Sequence, residues 1–153
     1  MKYKLSESDF DTIISYSNGL IKESKKIEFN CATMSAVLKA MITDNHNIPA
    51  IMFAGHFDYK SKRIFNCKKN IPYDSSKKII NEIWDGHCWI QIADYILDIT
   101  IVKTMNHKNN NIISSEIIFD KIDNLKNKEI IYTPIFKIED NQIDSLIKAF
   151  ISQ

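Results

Sequence analysis

The stretch that most constrains the fold is "GHCWIQIADYILDIT", residues 86–100. Side chains alternate across a strand, so His87, Trp89 and Gln91 share one face and Cys88, Ile90 and Ile92 share the other. "AD", Ala93 and Asp94, reads as a two-residue turn joining two antiparallel strands, which pairs Ile92 with Tyr95. That register sets Trp89 opposite Asp98 and His87 opposite Thr100. Asp98 then becomes the diagonal neighbour of His87 on one face, and such positions lie roughly 7–8 Å apart along the backbone. A loop of odd length would send the two to opposite faces.

Around this pair the chain reads as alternating helices and strands. Ser and acidic residues at cap spacing precede Phe10, Ile13, Ile14 and Ile21, predicting a helix over about 7–24. Asn30 is a natural N-cap for a second helix bearing Cys31, Met34, Leu38 and Met41 on one face and closing at "DNHN". "IPAIMFAGHFDY" reads as a strand begun by Pro49, with "KRIFNC" as its hairpin partner across "DYKS". "YDSSKKIINEIWDG" predicts a short helix, "MNHKNNN" a polar loop and "SSEIIFDKIDNLKNK" another helix. "EIIYTPIFKI" predicts a strand and "EDNQIDSLIKAFIS" a terminal helix. No repeat or linker interrupts the 153 residues, so we expect one α+β domain over 1–153.

Composition removes several function classes. The formal charge is +1 with acids and bases interleaved, giving no basic footprint for nucleic acid. The one basic cluster, "KSKRIFNCKK", reads as a solvated hairpin face, with steering of an acidic partner as the alternative. No window approaches the ~18 apolar residues of a membrane helix. The start carries no apolar leader, so a cytoplasmic protein is expected, with a host-delivered effector left open. Three cysteines at unrelated spacings suggest free thiols rather than a disulfide framework or a metal knuckle. No cofactor and no metal are expected.

Cys31 is the residue that gives His87 and Asp98 a purpose. At the head of a helix the backbone N–H groups are unpaired and the dipole is positive, and both favour thiolate, the reactive form. A carboxylate beside an imidazole fixes its tautomer and stabilises the imidazolium. A thiolate paired with that imidazolium is an activated nucleophile, and the imidazolium can later protonate a leaving amine. Cys31 also reads as a small apolar residue opening an amphipathic stripe.

The order of these motifs resembles the transglutaminase-like branch of the papain-like cysteine enzymes. In that branch a Cys heads the central helix, a strand follows, then an H-x-W strand, then a strand ending in D-x-T. Here those positions are Cys31, "IPAIMFAG", His87 with Trp89, and Asp98 with Thr100, spanning about residues 20–101. The resemblance implies a papain-like fold with the catalytic helix packed on an antiparallel sheet. It implies a Cys31–His87–Asp98 triad that passes through a thioester.

The expected substrate is a protein or peptide bearing a side-chain or backbone amide. Water as acceptor gives a peptidase, amidase or glutamine deamidase; an amine gives a transglutaminase. A non-catalytic binding or inhibitory protein on the same scaffold is the reading from another class. An oxyanion hole needs the Cys31 N–H plus a further donor, for which Asn30 and Asn18 are the candidates. Trp89 is either a core aromatic or a wall of the substrate cleft. His56 is the rival base, His46 and His107 read as solvated, and Cys88 reads as pointing into a core. Cys67 has no assigned role. A zinc site at Cys31, His87 and Cys88 is awkward, because adjacent strand residues diverge.

Overall fold

The structure is a computed structural model and describes residues 3–23, 30–71, 84–107 and 116–151. In chain order the elements are α1 (Glu7–Glu23), α2 (Cys31–His46), β1 (Ile51–Tyr59), β2 (Lys62–Phe65), β3 (His87–Ile92) and β4 (Tyr95–Asp98). They are followed by α3 (Ile101–His107), β5 (Ile118–Lys121), α4 (Ile122–Asn127), β6 (Ile130–Lys137) and α5 (Asp140–Ile151). The class is α+β, and among the described residues the strands form one six-stranded sheet whose pairings are all antiparallel.

Strand β1 organises the sheet. Along one edge it pairs with β6, from Phe53↔Lys137 to Tyr59↔Ile130. Along the other edge it pairs first with β3, from Ile51↔Gln91 to Gly55↔His87, and then with β2, from Phe57↔Phe65 to Tyr59↔Lys62. β2 and β3 therefore meet end to end against β1, and His87 stands at the junction. The β3–β4 hairpin has the expected register: Ile92 pairs with Tyr95, Gln91 with Ile96 and Ile90 with Leu97. Ala93 accepts φ 54° to make the two-residue turn. A left-handed residue lets the turn follow the right-handed twist of the strands.

The alternation sends side chains to two different cores. On one face Ile90, Ile92 and Leu97 meet Ile13, Leu20, Met34, Leu38 and Ile42 of α1 and α2. Cys88, Met52 and Ala54 continue that face toward Ala36 of α2 and Ile143 and Leu146 of α5. On the opposite face Trp89, Phe57 and Ile96 pack with Ile101, Val102 and Met105 of α3. Helix α1 opens with a reciprocal cap, Asp9 N–H donating to Ser6 Oγ at 3.1 Å and Ser6 N–H to Asp9 Oδ2 at 3.0 Å. Of its expected apolar positions, Ile13 and Ile21 are buried and Ile14 is exposed.

Gly55 is where the sheet allows no side chain. A Cβ there would lie 2.0 Å from the Thr133 carbonyl oxygen and 2.8 Å from the Trp89 ring. The register of β1 against β6 shifts at this point, between Ala54 and Gly55. A bulge beside a glycine lets another group approach the backbone closely.

Three expectations change. The helix expected over "SSEIIFDKIDNLKNK" divides into edge strand β5 and the short helix α4. The apolar run at its start packs on both sides, the buried Ile118 with Trp89 and Phe57 and the half-buried Phe119 with the α1–α2 core. Local spacing cannot separate such a strand from a helix. "MNHKNNN" begins in helix rather than loop, because Ile101, Val102 and Met105 bury one stripe of α3 against the sheet. The second strand of the hairpin ends at Asp98, and Ile99 and Thr100 turn into α3. The helix expected over residues 73–86 falls mostly on residues 72–83, outside the described ones. No helix among the described residues is long and apolar enough to cross a membrane.

Candidate active site

Asp98 ends β4, and its carboxylate is saturated by five donors. Oδ1 accepts from the Thr100 N–H at 3.1 Å, the Thr100 hydroxyl at 3.3 Å and the Ile101 N–H at 3.1 Å. These bonds fold the chain from strand into α3 and explain why the D-x-T spacing is needed locally. Oδ2 is left to face the sheet. It accepts from His87 Nε2 at 2.6 Å and from the Tyr132 hydroxyl at 2.8 Å. Donors of this number hold a carboxylate ionised. Burial opposes ionisation of Asp98, and His87, Tyr132 and Thr100 together outweigh it, so its pKa is lowered.

His87 is buried, as is Asp98. Gly86 before it is buried too, with the Trp84 ring where a Cβ would stand, 2.3 Å away. Phe65, at the end of β2, stacks on the imidazole at 5.1 Å and 21°. Phe57 meets it edge-on at 5.8 Å. Trp89 and Tyr132 complete the surround, each with its centroid 6.3 Å away. Aromatic faces carry negative quadrupole density and favour a cationic ring. Burial pulls the His87 pKa down, but the Asp98 charge and hydrogen bond and the nearby Cys31 thiolate outweigh it, and the pKa is pushed up to about 10.

Cys31 is the first residue of α2 and is half-buried. It packs against the cluster that holds Cys88, and the pull of Cys88 and His87 outweighs burial and holds its pKa well below the usual thiol value. Because Nε2 of His87 is taken by Asp98, Nδ1 is the nitrogen left for Cys31. The structure thus brings Cys31, His87 and Asp98 together in that order.

Cys88 is on the opposite strand face from His87 and fully buried, as its place in the alternation requires. Yet that core begins at Cys31. The head of α2 therefore sits over the start of β3. Ser35, one turn further along α2, donates to the Cys88 carbonyl at 3.4 Å. Burial and the neighbouring Cys31 push the Cys88 pKa well up.

Asn30 occupies the N-cap position of α2, but its side chain makes no capping bond. Asn18 is exposed on α1. Trp89 is fully buried between Phe53 and Tyr132, a packing position, and its indole N–H has no partner. His56 accepts the Cys67 N–H on Nδ1 at 2.8 Å, which ties it to the loop after β2. His46 is exposed and bonds Tyr16 at 2.9 Å. In the basic hairpin Arg63 is paired with Asp58 through two bonds, at 3.1 and 3.2 Å, while Lys62, Lys68 and Lys69 are exposed.

Tyr132, Phe65 and the Cys88 contact were not legible as site features. Tyr132 lies in a plain alternating strand. Only the placement of β6 on the far edge of β1 brings it to Asp98. Among the described residues no group of three or more His, Cys, Asp or Glu side chains is arranged to hold a metal ion. A groove of about 790 Å³ lined by Tyr3, Phe10, Tyr95 and Lys121 lies at the Ala93–Asp94 end of the hairpin. It is on the order of 15–20 Å along the strand from His87, and its lining contains neither Cys nor His. No family model matches the chain, and no curated protein and no solved structure matches it.

Proposed function

We propose that this protein is a thiol enzyme of the transglutaminase-like, papain-like type that acts on an amide of a protein or peptide. The observation that carries the reading is the placement of His87 between the Asp98 carboxylate, at 2.6 Å, and the Cys31 thiol at the head of α2. Cys31 thiolate attacks the carbonyl carbon, and the oxyanion accepts from backbone N–H at the helix start. The imidazolium gives its Nδ1 proton to the leaving amine as the carbon–nitrogen bond breaks, leaving a thioester. Neutral His87 then takes a proton from water, which adds to the thioester. The tetrahedral adduct expels Cys31, giving carboxylic acid and restoring the ion pair. Asp98 stays ionised throughout and orients the ring. An amine in place of water would give a transferase; hydrolysis is the outcome we favour for so small a domain.

The burial of His87 and Asp98 favours a second reading, in which the same ion pair serves only to fix the core of a binding protein. Thiol reactivity separates the two. In the enzyme reading Cys31 alkylates with iodoacetamide near pH 6 faster than free cysteine does, and His87→Ala slows it. Alkylation of Cys31 no faster than that of Cys67 in the same sample would rule the enzyme out.

A further inference from the structure

All three cysteines of the chain share one cluster: Cys67 and Cys88 are buried in it and the half-buried Cys31 packs against it. Amide chemistry requires only one of them. We propose that Cys31 and Cys88 form a hydroperoxide-responsive thiol pair, in which oxidation at Cys31 is resolved into a Cys31–Cys88 disulfide. The inference concerns the same nucleophile as the proposed enzyme but does not depend on amide cleavage.

Cys31 is the member that solvent can reach, and it is the thiolate of the pair. Its sulfur attacks the terminal oxygen of a hydroperoxide. The S–O bond forms, the O–O bond breaks, and the departing alkoxide or hydroxide takes up a proton from water or from His87. This leaves Cys31 as sulfenic acid. Cys88 then attacks the Cys31 sulfur. The S–S bond forms, the S–O bond breaks, and the hydroxyl leaves as water with the Cys88 proton. The sum is two thiols and one hydroperoxide giving disulfide, alcohol and water.

Cys88 fits the resolving role better than Cys67. It lies in the cluster against which Cys31 packs, and the Ser35 bond to its carbonyl, at 3.4 Å, ties β3 to α2 one turn beyond Cys31. The Cys67 thiol is instead turned to the Lys69 carbonyl, at 3.4 Å. A buried partner is shielded from oxidant, so it remains available until Cys31 reacts.

The test uses the reduced full chain, freed of reductant and titrated with hydrogen peroxide, read by intact mass and a non-reducing peptide map. The expected result is a loss of about 2 Da, a peptide pair joining Cys31 to Cys88, and full reversal by dithiothreitol. Cys67→Ala keeps the link. Cys88→Ala loses it, and Cys31 gains about 32 Da as irreversible sulfinic acid. A Cys31–Cys67 link, or sulfinic acid at Cys31 in the unaltered chain without any link, overturns the proposal. So does an unreacted Cys31. If Cys88→Ala does not fold, the maps of the unaltered chain and of Cys67→Ala decide alone. Fast, His87-dependent alkylation without a disulfide would sink the pair and spare the enzyme reading; a disulfide with slow alkylation would do the reverse.

Discussion

Tyr132 and His87 donate to the same oxygen of Asp98, from strands that lie on opposite edges of β1. The carboxylate is thereby fixed across the sheet, and the imidazole inherits its orientation from β6 as well as from its own hairpin. Removing the hydroxyl in Tyr132→Phe leaves the ring packing against Phe57 and Trp89 in place. A bond to a charged acceptor contributes roughly 1.5–3 kcal/mol. Urea unfolding should show a loss of that size. The Cys31 alkylation profile should also move on the pH axis, because Asp98 loses a donor that stabilises its charge; an unchanged profile would leave Tyr132 a purely structural residue.

Asp98→Asn removes the counter-charge but keeps the shape. His87 then has burial acting on it without the Asp98 attraction, and its pKa should fall from about 10. Each unit of fall corresponds to about 1.4 kcal/mol of lost ion-pair stabilisation. Iodoacetamide alkylation of Cys31 near pH 6 should slow about tenfold or more. Breaking a buried pair costs on the order of 3–5 kcal/mol, so a lowered midpoint in thermal melts should accompany it.

The pH dependence of stability follows from the opposite signs of the Cys31 and His87 shifts. Stability from the raised His87 pKa is fully present below 6.5, its unfolded value, and is lost as pH rises through about 10. Stability from the lowered Cys31 pKa is present above 9.0, its unfolded value, and is lost as pH falls through the folded value. Up to 9.0, and above both 6.5 and the folded Cys31 value, the folded pair holds one proton, as thiolate and imidazolium, and the unfolded pair holds one as thiol and neutral imidazole. These two groups together therefore give a flat region, with decline above it. Cys31→Ala removes one side of this balance, and its stability should fall across the same interval. Denaturant midpoints at half-unit pH steps would check this, and parallel curves for the two proteins would refute the ion pair.

Gly55→Ala tests the sheet beneath the site. The added methyl meets a backbone carbonyl at 2.0 Å, which no rotamer change can relieve. Overpacking of this kind costs roughly 1–3 kcal/mol, and more where backbone must move. Because Gly55 pairs with His87, the alkylation rate of Cys31 should fall together with the urea midpoint. A full rate in a destabilised protein would show that the site tolerates movement of β1.

The hairpin was readable because its information is local. Alternation fixes faces, and a two-residue turn fixes which residues oppose each other, so His87 and Asp98 could be paired from residues 86–100 alone. The head of α2 was readable for a similar reason, since Asn30 and the apolar stripe mark where the helix begins. The segment after Ser114 was misread because Ile118 is buried on one face of an edge strand while the half-buried Phe119 packs on the other, and no periodicity records two-sided packing. α3 was hidden by the asparagines that follow it, although Asp98 itself caps the turn into it.

Sequence by itself determined which groups share a face: His87 with Asp98 and Trp89, and Cys88 with Ile90. It also put Cys31 where helix geometry favours a thiolate. Tertiary structure alone decided that α2 lies over the start of β3, which lets Cys31 meet both His87 and Cys88. It alone decided that β6 returns to the free edge of β1, which delivers Tyr132 to Asp98. The physical reason is range. Face and register are set by neighbouring residues along one hairpin, whereas the packing of a helix head on a strand and the choice of a sheet edge follow from the burial of apolar surface over the whole chain.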